Sequence, residues 1–148
     1  MKKPERLPFE EFKQIYSKVP RLTVEAILIK DGKVLLTKRA IEPETGKWHT
    51  PGGTILLGES PEETAVRTAR EELGVETKIT KFLGYIEYKS FKTFGQDISL
   101  CFAMEQIDDT EIKLDKGASE YDYFDEIPEN TIVEQAEFLK DKIALFML

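Results

Sequence analysis

The chain has almost none of the residue types that most often carry covalent or redox chemistry. It contains one cysteine, Cys101, and one histidine, His49, in 148 residues. An intrachain disulfide and a cysteine- or histidine-rich metal centre are therefore both excluded within this sequence. No apolar run approaches the roughly 20 residues needed to cross a bilayer. The N-terminal MKKPERLPFEEF carries positive charge but lacks the apolar core of an export signal, so a soluble, cytoplasmic protein is expected. Positive charge is also scarce, with 21 Lys and Arg against 28 Asp and Glu and a net charge of −7. A nucleic-acid backbone needs a basic footprint, so such a partner is not expected. A small phosphorylated substrate stays open, because a bound divalent cation reverses the local sign. With 41% hydrophobic residues, this length suits one domain over 1–148, with 1–20 as an N-terminal helical extension.

What the chain does have is concentrated in 51–75, PGGTILLGESPEETAVRTAREELGV. Pro51-Gly52-Gly53 allows a tight backbone and close approach of a ligand. Ser60 is placed to cap a helix, with Pro61 suited to its first position and Glu63 completing a capping box. Gly74 follows Leu73 as a stop. At about 100° per residue, Ala65, Val66, Ala69 and Leu73 share the face expected to be buried, with Arg67, Thr68, Glu71 and Glu72 opposite. Adjacent glutamates on a helix are ordinarily solvated charge. Beside a double-glycine loop, however, carboxylate and carbonyl oxygens are the hard ligands that Mg²⁺ or Mn²⁺ takes. Arg67 lies four residues from both Glu63 and Glu71 and can pair with either.

The flanking segments read as mixed α and β. Residues 9–16 place Phe9, Phe12, Ile15 and Tyr16 at helical spacing between Pro8 and Pro20, and this helix packs either on its own domain or on a partner subunit. Residues 22–30 and 33–39 are strands joined by Asp31-Gly32, a strong hairpin signal. Strands are expected over 76–90 and 96–107 around a turn at 92–95, followed by a charged connector at 108–118 and a short strand at 121–124. From residue 130, Ile132, Ala136, Leu139, Ile143 and Phe146 mark a last helix with one buried stripe.

The 53–75 stretch resembles the Nudix box, G-x5-E-x7-R-E-U-x-E-E-x-G-U with U aliphatic. Gly53, Glu59, Arg67, Ala69, Glu71, Glu72, Gly74 and Val75 fall on its positions. The one departure is Thr68, where the family has a glutamate that in some members binds metal or acts as base. The resemblance implies an α/β/α sandwich with a mixed sheet between helices. It also implies a Mg²⁺ or Mn²⁺ cofactor held by the Gly52 carbonyl, Glu71 and Glu72, with Arg67 orienting the carboxylates and Glu59 fixing the loop. The N-terminal half, with RLTVEAILI, LLTKR and GKWHTPGG, is similar to GDP-mannose mannosyl hydrolases. That similarity implies Glu25 as a ligand contact, Arg39 as a phosphate-binding arginine and a homodimer. Those relatives keep a catalytic histidine before the 121–124 strand. None is present here, which leaves Glu120 as the residue to test as base or extra metal ligand. His49 is either a structural strand residue or a base, and Trp48, Tyr85, Tyr88, Phe91 and Phe94 either core or a stacking platform.

The expected activity is hydrolysis of a nucleoside diphosphate linked to another moiety, a nucleotide sugar in particular. A nucleoside triphosphate pyrophosphohydrolase and a non-catalytic nucleotide sensor are the alternatives.

Overall fold

The computed structural model describes residues 5–88 and 95–146, with the last four of these in backbone only. The expected turn at 92–95 and the aromatics Phe91 and Phe94 lie wholly or largely outside the described residues. The element order is α1 (Phe9–Tyr16), β1 (Arg21–Lys30), β2 (Lys33–Arg39), β3 (Trp48–His49), β4 (Gly52–Thr54), α2 (Pro61–Leu73), β5 (Thr77–Glu87), β6 (Asp97–Gln106), β7 (Ala118–Phe124) and α3 (Val133–Phe146). The seven strands form a mixed sheet in the order β3-β2-β1-β6-β5, with β4 also paired to β1 and β7 to β2. β1 runs parallel to β6 and antiparallel to β2 and β4.

Alternation along β1 explains why helices cover the sheet on both sides. Val24, Ala26 and Leu28 enter one core with Ala65, Ala69 and Leu73 of α2. Ile27 enters another, with Leu36, Cys101 and Leu139 of α3. Successive side chains leave a strand on opposite faces, so one buried strand feeds two cores. Leu73 and Leu139 are fully buried, each contributing roughly 2 kcal/mol of transfer free energy. The sandwich expected from the box is what the chain forms.

Local signals act as their chemistry dictates. Asp31 and Gly32 both have positive φ, 52° and 75°, as a two-residue hairpin turn requires. The Ser60 hydroxyl accepts from the Glu63 amide at 3.1 Å, and the Glu63 carboxylate accepts from the Ser60 amide at 3.2 Å. Gly74 ends α2 at φ 68°.

Three expectations need correction: the face of Thr68, the partner of Arg67 in place of Glu63, and the start of the last strand. Thr68 is 1% exposed and belongs to the buried side of α2. The helix presses against β4 at Gly53, where a Cβ would lie 2.7 Å from Thr68 Oγ1. Glu63 is engaged in the cap, so Arg67 pairs with Glu59 instead. α1 buries none of its residues, although Arg21 lies over the Phe12 ring at 5.1 Å. In addition, β7 starts at Ala118, three residues before the expected strand, because it continues along β2 as far as Arg39.

Candidate active site

The glycine segment, the last turn of α2 and the connector before β7 meet at one cleft of about 510 Å³. Gly52 is the β-ladder partner of Glu25. A Cβ on Gly52 would come within 2.9 Å of Glu25 Oε1, so only glycine lets this carboxylate stand beside the loop. The Gly52 N–H donates to the Glu72 carboxylate. Asp115 is brought to the same place because the connector runs back over the end of α2, with the Lys113 and Asp115 amides donating to the Leu73 and Glu72 carbonyls at 2.9 and 3.2 Å. Asp115 Oδ1 accepts the Gly117 amide at 3.0 Å.

These acids sit in an unusual electrostatic setting. Burial, together with the charges of Asp115 and Glu25, pushes the Glu72 carboxyl up to about 8, against the Gly52 hydrogen bond. Burial likewise pushes Glu25 up to about 7, although the Thr50 and Tyr88 hydroxyls donate to its two oxygens at 2.7 and 3.0 Å. Among the described residues neither Glu25 nor Glu72 has a salt-bridge partner, which fits carboxyls raised by burial and like charge. Six carboxylates and three arginines line the cleft. An added cation would let Glu72 and Glu25 ionise beside an anionic phosphate.

The donor set was tested against the divalent metal that the box implies. It is all oxygen, as Mg²⁺ and Mn²⁺ prefer. Among the described residues no three His, Cys, Asp or Glu side chains stand close enough to hold an ion by themselves. An ion there would need water or substrate phosphate as further ligands, as Mg²⁺ takes.

The other residues singled out by the sequence divide. Arg67 grips Glu59 with Nε and Nη2 at 2.7 and 2.9 Å and donates to the Thr54 carbonyl at 2.9 Å. Glu59 also accepts from the Leu56 amide and the Thr64 hydroxyl, so it fixes the loop as expected. Glu71 is half-exposed, held by Arg67 and by Arg6 of the N-terminal segment, and is absent from the cleft lining. Arg39 lines the cleft, its Nε donating to the Pro43 carbonyl at 2.6 Å. The structure does not bring Glu120 to the cleft: it sits on β7 opposite Lys38 and pairs with it at 3.1 Å. His49 is buried against Thr37, Nε2 to Oγ1 3.0 Å, and burial first, then Arg39, pushes it down to about 4. It is neutral at physiological pH. Of the aromatics, Trp48 packs against Phe124, Tyr88 reaches Glu25, and Tyr85 is exposed.

Sequence reasoning missed Asp115, Arg21, Thr50 and Gln135, all in the cleft lining. Arg21 is held by both Asp97 oxygens at 2.8 Å and donates to Thr54 Oγ1 at 3.0 Å. For Asp115 a signal existed, since Asp115 and Gly117 form a local turn in a connector otherwise read as plain charge.

The family model described as NUDIX domain matches residues 19–142. The chain belongs to the Nudix family. Among its Nudix relatives it is similar to the low-salt glycan biosynthesis protein Agl8 of Haloferax volcanii, 34% identical over 81% of this chain and 80% of that protein. It is also similar to an ADP-ribose pyrophosphatase of Methanocaldococcus jannaschii, 36% identical over 72% of this chain and 62% of that protein. Its fold is that of a MutT Nudix hydrolase from Burkholderia pseudomallei, with a TM-score of 0.74, 23% identity and coverage of 82% and 97% of the two chains. A UDP-X diphosphatase shares the fold with a TM-score of 0.69, 22% identity and coverage of 95% and 72%. The Nudix assignment makes the chain a member of a hydrolase family, as the box implied.

Proposed function

We propose that this Nudix hydrolase is divalent-metal-dependent and cleaves a nucleoside diphosphate joined to another moiety, with nucleotide sugars as its substrate class. The observation that carries the proposal is the group of carboxylates Glu72, Glu25 and Asp115 beside Gly52, for which no salt-bridge partner is found among the described residues, in one cleft with Arg39. The similarity to a glycan-biosynthesis protein and to an ADP-ribose pyrophosphatase supports the choice of a sugar-bearing diphosphate.

In this reading Glu72, Glu71 and the Gly52 carbonyl hold the cation, for which Glu71 turns away from Arg6. The ion, when bound, supplies charge neutralisation for the diphosphate and favours ionisation of the attacking water. Arg39 offers a fixed fork of donors to the diphosphate oxygens. Arg67 keeps Glu59 and Glu71 in place. Glu25 contacts the substrate. With Thr68 buried and Glu120 away from the cleft, Asp115 takes the role of proton acceptor, since its Oδ1 is engaged by Gly117 and its second oxygen remains for the attacking water.

The test is incubation with magnesium and a panel of nucleotide sugars, dinucleotides and nucleoside triphosphates in ¹⁸O-labelled water, with products identified by mass. Nucleotide sugars are expected to be turned over fastest. Label in a phosphate places attack at phosphorus, and label in the sugar places it at carbon. Pyrophosphate release from triphosphates as the fastest reaction would replace the substrate class. No turnover of any member would favour a nucleotide sensor.

A further inference from the structure

One closed ring of hydrogen bonds joins four side chains that the box does not contain. The Thr50 amide donates to Gln135 Oε1 at 2.7 Å, Gln135 Nε2 donates to the Tyr88 hydroxyl at 2.8 Å, Tyr88 donates to Glu25 Oε2 at 3.0 Å, and the Thr50 hydroxyl donates to Glu25 Oε1 at 2.7 Å. Thr50, Gln135 and Glu25 are 1%, 4% and 5% exposed. Four segments of the fold meet here: β1, the turn into the glycine segment, the residue after β5 and helix α3.

The direction of both Gln135 bonds follows from the one at Thr50. A backbone amide only donates, so it selects Gln135 Oε1 and leaves the NH₂ group of Gln135 facing Tyr88. The Tyr88 oxygen is then an acceptor toward Gln135, and its single proton is left for Glu25. Glu25 therefore receives two hydroxyl donors and is held as an acceptor on both oxygens. The same glutamine holds the backbone two residues before Gly52. Glutamate at this position would keep the first bond and lose the second. Leucine would lose both.

We propose that Gln135 is a positioning residue for the cleft, orienting Glu25 through Tyr88 and the glycine segment through Thr50. The assignment deepens the hydrolase reading and rests on it for the kinetic arm of its test. In this assignment Gln135, although it lines the cleft, acts through its two partners and not by contact with substrate or cation.

The experiment compares wild type, Gln135→Glu, Tyr88→Phe and the double variant, using the fastest substrate of the panel and, separately, Mn²⁺ binding followed by electron paramagnetic resonance. Each single change is expected to raise KM about tenfold, Tyr88→Phe by removing a hydrogen bond to the Glu25 carboxylate and Gln135→Glu by freeing Tyr88 to turn from it, with kcat changed by less than about twofold. The double variant is expected to be no worse than the worse single one, because both changes break the same ring. Gln135→Leu, which also frees the Thr50 amide, is expected to weaken Mn²⁺ binding as well, whereas Tyr88→Phe is not. Thermal melting identifies any variant that is unfolded. Losses that multiply in the double variant, or unchanged KM and unchanged Mn²⁺ affinity in folded variants, overturn the proposal. If wild type turns over nothing, the hydrolase reading fails by itself. The positioning role then stands or falls on whether Gln135→Leu alters Mn²⁺ affinity.

Discussion

Arg67 and Glu59 form a two-pronged ion pair, with Nε and Nη2 of the arginine reaching the two carboxylate oxygens at 2.7 and 2.9 Å. The pair ties α2 to the loop in front of its cap. Arg67→Lys keeps the charge and loses the fork, so a loss of about 1–2 kcal/mol is expected in denaturant melts.

The same pair sets a pH dependence. The Arg67 hydrogen bond holds Glu59 below its ordinary value of 4.5. A depressed carboxyl adds stability that is fully present above the unfolded value and is lost as pH falls through the folded one. The melting-temperature gap between wild type and Glu59→Gln is expected to be constant well above pH 4.5 and to shrink progressively as pH falls below it. A gap of unchanged size at the acid end would count against the pair.

Glu72→Gln separates stability from function. The folded protein holds the Glu72 proton more tightly than the unfolded chain does, so without cation its stability falls between pH 4.5 and about 8. Glutamine removes this loss, and the variant is expected to melt higher than wild type at pH 8 without metal, by roughly 5 °C. It should lose most of the shift that MnCl₂ gives wild type, together with turnover. Scanning fluorimetry with and without MnCl₂ checks both.

Asp115 and Glu120 are distinguished by parallel substitution. Asp115→Asn is expected to lower kcat at least about a hundredfold, as loss of a proton acceptor does. Glu120→Gln should leave it within about twofold, since only an exposed pair with Lys38 is lost. The reverse ranking in steady-state assays would return the role to Glu120.

Gly53 and Thr68 form a steric pair. Gly53→Ala drives a methyl group to within 2.7 Å of Thr68 Oγ1, and a loss of about 2 kcal/mol is expected. Thr68→Ala should relieve most of it. On its own, Thr68→Val removes a buried hydroxyl without a hydrogen-bond partner and is expected to be neutral or stabilising. Urea melts of the two single variants and the double variant give the coupling directly.

Features with local causes were legible in the sequence. The Ser60–Glu63 cap, the Asp31-Gly32 turn and the α2 boundaries depend on neighbours a few residues away, and all form as expected. What escaped is what distant segments decide. Thr68 and Arg67 are equally polar on a helical wheel, and only the glycine of β4 makes one of them interior. In the sequence Glu120 stands next to the expected strand at 121–124, but the register of β7 on β2 directs it to Lys38. Gln135 looks like ordinary helix surface until Thr50 and Tyr88, 85 and 47 positions away, are placed beside it.

The separation between those partners governs when the cleft can exist during synthesis. A nascent chain that has emerged only as far as α2 carries the whole box, yet Tyr88 and Gln135 have not left the ribosome. Until they do, Glu25 lacks its second donor and the Thr50 amide its acceptor, so the cleft takes its full affinity only once the α3 helix has emerged.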